Sequence, residues 1–298
     1  MKKKSKLLFI LIPIMILVVA IGGGCIWYFQ IKKPYDQAVE VFSSAVTDFN
    51  AASSEVDEKN QELEAVIFPV QGVLDSGETP YDEQTLTGAK DAILKAQESK
   101  RAIPSIQKEV GNRTTKDIKT ETENIKAKTE ELKKPLDYSA QIAYLQESQK
   151  ALENSIQQLK QITNPTEEFV TQRLQAIDGI LGMQAVTEDN DPNGNLHKAG
   201  GYTSSIYFTS PLINQDDVYG ESIIDKGTDA GGCIEVYESG DDANKRNDYL
   251  TSFDGTGILN PGSHSIIGTI VVRTSSKLTA TQQKELEQQI FDKFLELQ

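Results

Sequence analysis

Four oxygen-bearing side chains alternate along one acidic segment in the second half of the chain. They are Asp189, Asp191, Asn193 and Asn195. Oxygen ligands at positions 1, 3 and 5 followed by a glycine, here Gly194, match the first half of a calcium-binding loop. Gly200 stands where such a loop has its bidentate Glu, and the same residue types form ordinary β-turns. The spacing predicts a Ca²⁺ site in which Asn195 gives a backbone carbonyl, with a plain turn as the alternative.

Nucleophilic chemistry would have to use Cys233, because the chain has only two Cys and two His. A thiol needs a neighbouring base, and nothing in the spacing places His197 or His264 beside it. The sequence also lacks the serine-elbow, phosphate-loop and zinc-protease motifs. Too few Cys and His are present for a zinc site or a disulfide framework. We expect no catalytic residue, no cofactor other than Ca²⁺, and a buried, inert Cys233 thiol.

Aromatic side chains could form a recognition groove, although we expect most of them in the core. The candidates are Tyr202, Tyr207, Phe208, Tyr219 and Tyr237. The segments Asp189–Tyr202 and 225–232 are the loops expected to contact a ligand. Adjacent carboxylates at 216–217 and 241–242 are interpreted as solvated turn or cap residues rather than as a glycosidase pair.

The distribution of charge excludes one large class of partner. The chain has 30 Lys and Arg against 44 Asp and Glu, and its formal net charge is −14. Residues 1–33 contain six lysines and no acid, so residues 34–298 have 24 basic and 44 acidic side chains. Nucleic-acid binding needs clustered Lys and Arg, and so acidic a body excludes it.

Residues 7–29 form an uncharged apolar stretch with lysines on both sides. A helix of that length could cross a bilayer, and the Trp27–Tyr28 pair before Lys32 is typical of an interface. We expect a single-pass anchor in the cell membrane, with residues 34–298 extracellular and the N-terminus cytoplasmic. Two alternatives stay open, namely lipidation of Cys25 after cleavage and removal of an ordinary signal peptide.

A heptad pattern predicts helices after the apolar stretch. Apolar residues recur every seven positions, at Phe42, Phe49, Val56, Leu63 and Val70. Such a stripe packs along other helices, and Pro69 is predicted to kink or end this one. Further helices are predicted after Asp82, around 118–132 and over 139–162. The pattern favours an antiparallel bundle or coiled-coil stalk over residues 35–163, with one long coiled-coil dimer as the alternative.

The stretch Tyr81-Asp82-Glu83-Gln84-Thr85-Leu86, with the small residues Ala89, Ala92, Ala96 and Ser99 after it, resembles the helical FIVAR module. That module is repeated in extracellular-matrix-binding adhesins of Gram-positive bacteria. Leu86 stands where the module usually has an aromatic residue. The resemblance implies a surface spacer or an adhesive module and no chemistry.

Residues 164–298 read as a separate α+β domain with a mostly antiparallel sheet and its helices on one face. Its first helix is predicted to begin with Asn164 as the N-cap, followed by Pro165 and Glu167. Thr279 is predicted to begin a capping box for the last helix. A short helix over about 241–253, with Ser239 and Asp241 as cap candidates, is predicted to turn Tyr249, Leu250 and Phe253 inward. Strands are predicted at 180–186, 202–208, 233–237 and 265–273.

This domain resembles the C-terminal domain of uncharacterised membrane-anchored or lipoprotein-like proteins of Gram-positive bacteria. The resemblance is based on residues 186–194, on Gly200–Ser204, on Gly231-Gly232 before Ile234, and on Val271–Arg273. It implies a location and a fold, and no activity.

Together these patterns predict three parts: an anchor over 1–34, an acidic helical stalk over 35–163 and an α+β extracellular domain over 164–298. The expected function is non-enzymatic: a cell-envelope protein that presents a binding domain to a cell-wall polymer or an envelope protein. The alternatives are an accessory subunit of a membrane-associated complex and an extracellular hydrolase.

Overall fold

The structure is a computed structural model that describes residues 15, 21–255 and 261–297. The chain divides into two compact units. Unit 1 comprises Met1–Pro69 and Ala92–Leu145, and unit 2 comprises Val70–Asp91 and Gln146–Gln298.

Helices form the first half of the chain, as the heptad pattern predicts. Helical residues 21–27 and a π-helical turn, Tyr28–Lys32, lead into α1 (Lys33–Asp75), and α2 (Gln84–Ser99), α3 (Thr115–Leu132) and α4 (Ser139–Gln161) follow. Of the two outcomes predicted for Pro69, ending the helix is wrong, because Pro69 lies inside α1. A proline costs the helix one backbone hydrogen bond. The helix continues past Pro69 because the apolar stripe also continues, with a fully buried Val70 directly after the proline.

The core of unit 1 lies between α1 and α3. Their buried side chains recur at alternating intervals of three and four residues: Ala38, Phe42, Ala45, Phe49, Ala52 and Val56 on α1, and Ile118, Thr122, Ile125, Thr129 and Leu132 on α3. Residues 34–41 line one groove with 119–123, and residues 55–59 line another with 132–136. The two helices therefore run in the same direction, which corrects the antiparallel arrangement predicted for them.

The connection from α2 to α3 explains this direction. Residues 101–114 are not helical, and Ile106 and Val110 of this segment pack against the α1–α3 core. The segment thus returns along the core before α3 begins.

Unit 2 contains both helices and strands. Its further elements are α5 (Glu167–Gln175), β1 (Gly182–Ala185), β2 (Tyr202–Thr209), α6 (Ile223–Lys226), β3 (Gly231–Tyr237), α7 (Gly240–Thr251), β4 (Ser263–Ile267), β5 (Ile270–Thr274) and α8 (Ala280–Leu295). Short 3₁₀ turns occur at Gln215–Asp217 and Gly227–Ala230. In the described residues the strands form one five-stranded antiparallel sheet in the order β1-β2-β3-β5-β4.

Both faces of the sheet are covered by helices. Ile234 and Val236 of β3 pack in one cluster with side chains of α5 and α8, whereas Cys233 and Tyr237 pack in another with side chains of α6 and α7. The antiparallel sheet is as predicted, but the placement of all helices on one face is wrong. Alternate residues of a strand point to opposite faces, and β3 is buried along its whole length, so both faces need a cover.

The last predicted strand is two strands. Gly268, with φ of 60°, and Thr269 make a hairpin turn between β4 and β5. A Cβ on Gly268 would lie 2.3 Å from the carbonyl oxygen of Ile162, and the Thr269 amide donates to that oxygen at 3.0 Å. The hairpin therefore lies directly against the end of α4.

The cap of α5 also differs from the expectation. Thr166, and not Asn164, is the N-cap, since its side chain accepts from the Phe169 amide. Asn164 instead connects to the sheet: its amide donates to Thr269 Oγ1 at 2.7 Å, and its Oδ1 accepts from Thr203 at 2.9 Å. The other two caps, Ser239 of α7 and the Thr279 capping box of α8, are confirmed.

The expected transmembrane helix and the location derived from it need correction. Among residues 15, 21–255 and 261–297, no helix combines the length and the apolarity that crossing a bilayer requires. The apolar residues from 21 onward lead through the π-helical turn, which ends at Lys32, directly into α1, whose first turn contains Lys33 and Asp36. Residues 7–14 and 16–20 of the predicted segment lie outside the described residues. Cys25, the candidate for lipidation, is exposed.

Candidate functional site

Asp191 is the centre of the loop that connects β1 to β2. Its Oδ1 accepts from the Asn193 amide at 2.9 Å and from the Tyr202 hydroxyl, and its Oδ2 accepts from the Leu196 amide at 2.8 Å. Burial opposes the ionisation of Asp191, but these hydrogen bonds outweigh it and lower its pKa to about 2. The carboxylate therefore stays charged and holds the loop onto β2.

The other predicted calcium ligands are exposed side chains of the same loop. The described residues contain no group of three or more His, Cys, Asp or Glu side chains arranged to hold a metal ion. Asn193 donates a long hydrogen bond of 3.5 Å to the Tyr202 hydroxyl. The Ca²⁺ site stays a prediction, and the contacts of Asp191 give it a second explanation as a loop-fixing residue.

A groove of about 770 Å³ lies beside this loop. It is lined by Asn190, Pro192, Tyr219, Gly220, Glu221, Ile224 and Asp225. These residues come from the β1–β2 loop and from the segment around α6, so parts of both segments expected to contact a ligand lie at one site. The volume is within the range typical of ligand sites.

Both walls of the groove are fixed by local hydrogen bonds. Asn190 and Pro192 flank Asp191, and Asn190 Oδ1 also accepts from the Thr187 amide at 2.7 Å. On the other wall, Ser222 and Asp225 form a capping box that begins α6. The groove thus needs little ordering when a ligand binds.

The floor and the turn of the groove also have defined conformations. Ile224 is 5% exposed, and its amide donates to Gln184 Oε1 at 3.3 Å. Gly220 has φ of 130°, and a Cβ there would lie 2.6 Å from the Lys226 nitrogen. Glycine therefore makes possible the turn that carries Tyr219.

Tyr219 differs from the other aromatic candidates. Its relative exposure is 97%, whereas Tyr202, Tyr207, Phe208 and Tyr237 are buried in the two clusters of unit 2. The prediction that most of the five belong to the core is confirmed. A fully exposed ring at the edge of a groove offers an apolar and π surface that folding does not use.

A charged cluster that the sequence analysis did not identify lies on the α7 face of the sheet. The fully buried Glu235 accepts from Arg246 at 2.7 and 2.8 Å, from Arg273 at 3.1 Å and from the Tyr237 hydroxyl at 3.0 Å. Burial opposes the ionisation of Glu235, yet the two guanidinium groups lower its pKa, and Glu235 raises the pKa of Arg246. The carboxylate of Glu235 thus has three donors, whereas Nε of Arg273 is buried without a hydrogen-bond partner among the described residues. We interpret the cluster as structural.

Cys233 lies in this part of the sheet and is fully buried, as predicted. Burial raises its pKa to about 12, and Ser205 Oγ lies 3.3 Å from the sulfur. His264 is turned toward Asn247 and Asp254, at 2.7 and 3.2 Å. His197 lies 3.5 Å from Glu188 in the exposed loop. The structure therefore brings neither imidazole to the thiol.

The chain matches none of the protein-family models, curated proteins or solved structures with which it was compared. The resemblances to the FIVAR module and to the Gram-positive envelope proteins stay predictions. The groove itself had a partial signal in the sequence: the β1–β2 loop, Tyr219 and Asp225 were candidates, whereas Gly220, Glu221 and Ile224 were not. The sequence signal for the Glu235 cluster was weaker, namely a single charged residue between the apolar residues Ile234 and Val236.

Proposed function

We propose that this chain is a non-enzymatic binding protein, in which unit 2 recognises a partner through the groove beside Tyr219. The observation that carries this proposal is a fully exposed tyrosine at a groove whose walls are fixed independently of any ligand. An ordered site with an unused aromatic ring favours binding, because little conformational entropy is lost when the partner arrives.

The state of the candidate reactive groups supports binding rather than catalysis. The thiol of Cys233 is buried with a raised pKa, and a thiolate is the reactive form. The Glu235 carboxylate is occupied by two arginines. The helical region, with its resemblance to a spacer module, would then serve to present the binding unit.

The test uses the full chain with 3-fluorotyrosine at its ten tyrosines and ¹⁹F NMR. The Tyr219→Phe variant identifies the Tyr219 signal by its loss. Hexalysine, hexaglutamate and chitohexaose, a neutral amino-sugar polymer, are titrated separately. We expect at least one of them to shift the Tyr219 signal in a saturable way while that of Tyr249, 57% exposed outside the groove, stays in place. If none of the three shifts the Tyr219 signal, the proposal is wrong.

A further inference from the structure

The groove has an uneven chemistry. Its two ionised groups are the carboxylates of Glu221 and Asp225, and among the described residues that line it there is no Lys or Arg. Both carboxylates are exposed at the rim. A ligand that carries negative charge would be repelled, and a cation would gain ionic hydrogen bonds.

The remaining lining is apolar or aromatic. The ring of Pro192 and the side chain of Ile224 form a non-polar path, and the Tyr219 ring stands free beside it. A cation over the face of a tyrosine ring is attracted by its quadrupole, with a free energy of about 0.5–1 kcal/mol at exposed sites.

We propose that this groove binds the side chain of a lysine presented by a partner polypeptide. Lysine has an apolar stem of four methylenes and an ammonium head, which suits a site with a non-polar floor and a carboxylate rim. The stem would lie along Pro192 and Ile224, and the head would lie between Tyr219 and Glu221. A neutral sugar would make no ion pair with the rim carboxylates, and a bare metal cation would leave the apolar floor unused.

The charge of the whole chain supports the same partner. The formal net charge is −14, so a basic segment is attracted before it reaches the groove. This long-range attraction is not specific, and the experiment must separate it from binding at the groove.

This inference rests on the proposed function and is tested by calorimetric titration of hexalysine into the full chain. The variants are Tyr219→Ala, Tyr219→Phe and Glu221→Gln. The matched control is Glu285→Gln, because Glu285 is an exposed carboxylate on α8, which packs on the opposite face of the sheet from α6.

We expect Tyr219→Ala and Glu221→Gln each to raise Kd by about two- to fivefold. Tyr219→Phe and Glu285→Gln should stay within about twofold of the unmodified chain, since the first keeps the ring and the second lies elsewhere. Equal Kd values for Glu221→Gln and Glu285→Gln, or an unchanged Kd for Tyr219→Ala, would show only diffuse attraction and overturn the inference.

The two proposals fail in different ways. If hexalysine does not bind but chitohexaose shifts the Tyr219 fluorine signal, the groove is a binding site and the lysine inference is wrong. If no probe shifts that signal, both are wrong.

Discussion

Asp191 connects three parts of one loop through a single carboxylate. Its two oxygens receive the amides of Asn193 and Leu196 and the hydroxyl of Tyr202, which lies at the start of β2. The residues on both sides of it, Asn190 and Pro192, line the groove. The hydrogen bonds of one side chain therefore hold the part of the loop that lines the proposed site.

The first prediction concerns the pH dependence of this contact. The pKa of Asp191 is about 2 in the folded chain and about 3.9 in an unfolded one, so its contribution is complete above about pH 5 and is lost as the pH falls toward 2. Asp191→Asn should lower the free energy of unfolding by about 1–2 kcal/mol at pH 7. Urea unfolding of both chains between pH 7 and pH 3 should show this difference shrinking. A difference that stays constant with pH would contradict the role given to the charge.

Residue types alone reveal such roles only in part. Asp191 stands out in the sequence through its spacing, yet that spacing is shared by calcium loops and turns. The hydrogen bond from the Tyr202 hydroxyl to Asp191 depends on the fold, and no local pattern predicts it. Glu235 is harder still to interpret, because its partners Arg246 and Arg273 are 11 and 38 residues away. Contacts at that distance depend on the strand order, which no local pattern contains.

Helices and their caps could be predicted from the sequence where the residues that determine them are close together in the chain. The stripes of α1 and α3, the cap of α7 and the capping box of α8 follow from residues within one or two turns of each helix. The Gly268–Thr269 hairpin was missed because apolar residues flank it on both sides. The direction of α3 was missed because it depends on residues 101–114, which have no helical or strand period.

Arg101 has a defined task in that connection. Its guanidinium donates to the carbonyl oxygens of Leu132, Lys134 and Pro135, at 3.1, 2.6 and 3.0 Å. Carbonyls at the end of a helix lack partners within the helix, so this side chain caps α3 from the returning segment. The Arg101 amide in turn donates to the Tyr138 hydroxyl at 2.8 Å.

The second prediction compares two neighbouring cations. Arg101→Ala should lower the free energy of unfolding by about 1–3 kcal/mol, because three carbonyls lose a charged donor. Lys100→Ala is the matched control: its pair with Glu64 is 2.9 Å long but largely exposed, and we expect a loss below about 0.5 kcal/mol. Urea unfolding followed by circular dichroism measures both. Similar losses for the two variants would mean that the caps on α3 contribute little.

For the whole molecule, the excess of acid is the dominant electrostatic feature. The described ion pairs of the helical region are mostly exposed pairs three or four residues apart, such as Lys59–Glu62 and Lys126–Glu123. Pairs of this kind contribute little, and they leave the surplus of carboxylates in place. Self-repulsion should therefore destabilise the folded chain at low ionic strength.

The last prediction is that salt has opposite effects on folding and on binding. Raising sodium chloride from about 0.02 M to about 0.5 M shortens the screening length, which should relieve self-repulsion and stabilise the folded chain by roughly 1 kcal/mol. The same change should weaken hexalysine binding, because the rim carboxylates at the groove are exposed and are screened as well. Chloride salts are used because sulfate strengthens apolar burial by itself. A urea midpoint that falls with salt would show that attractive pairs outweigh the net charge. The Glu235 cluster would not account for such a fall, because its ion pairs are buried and salt screens them little.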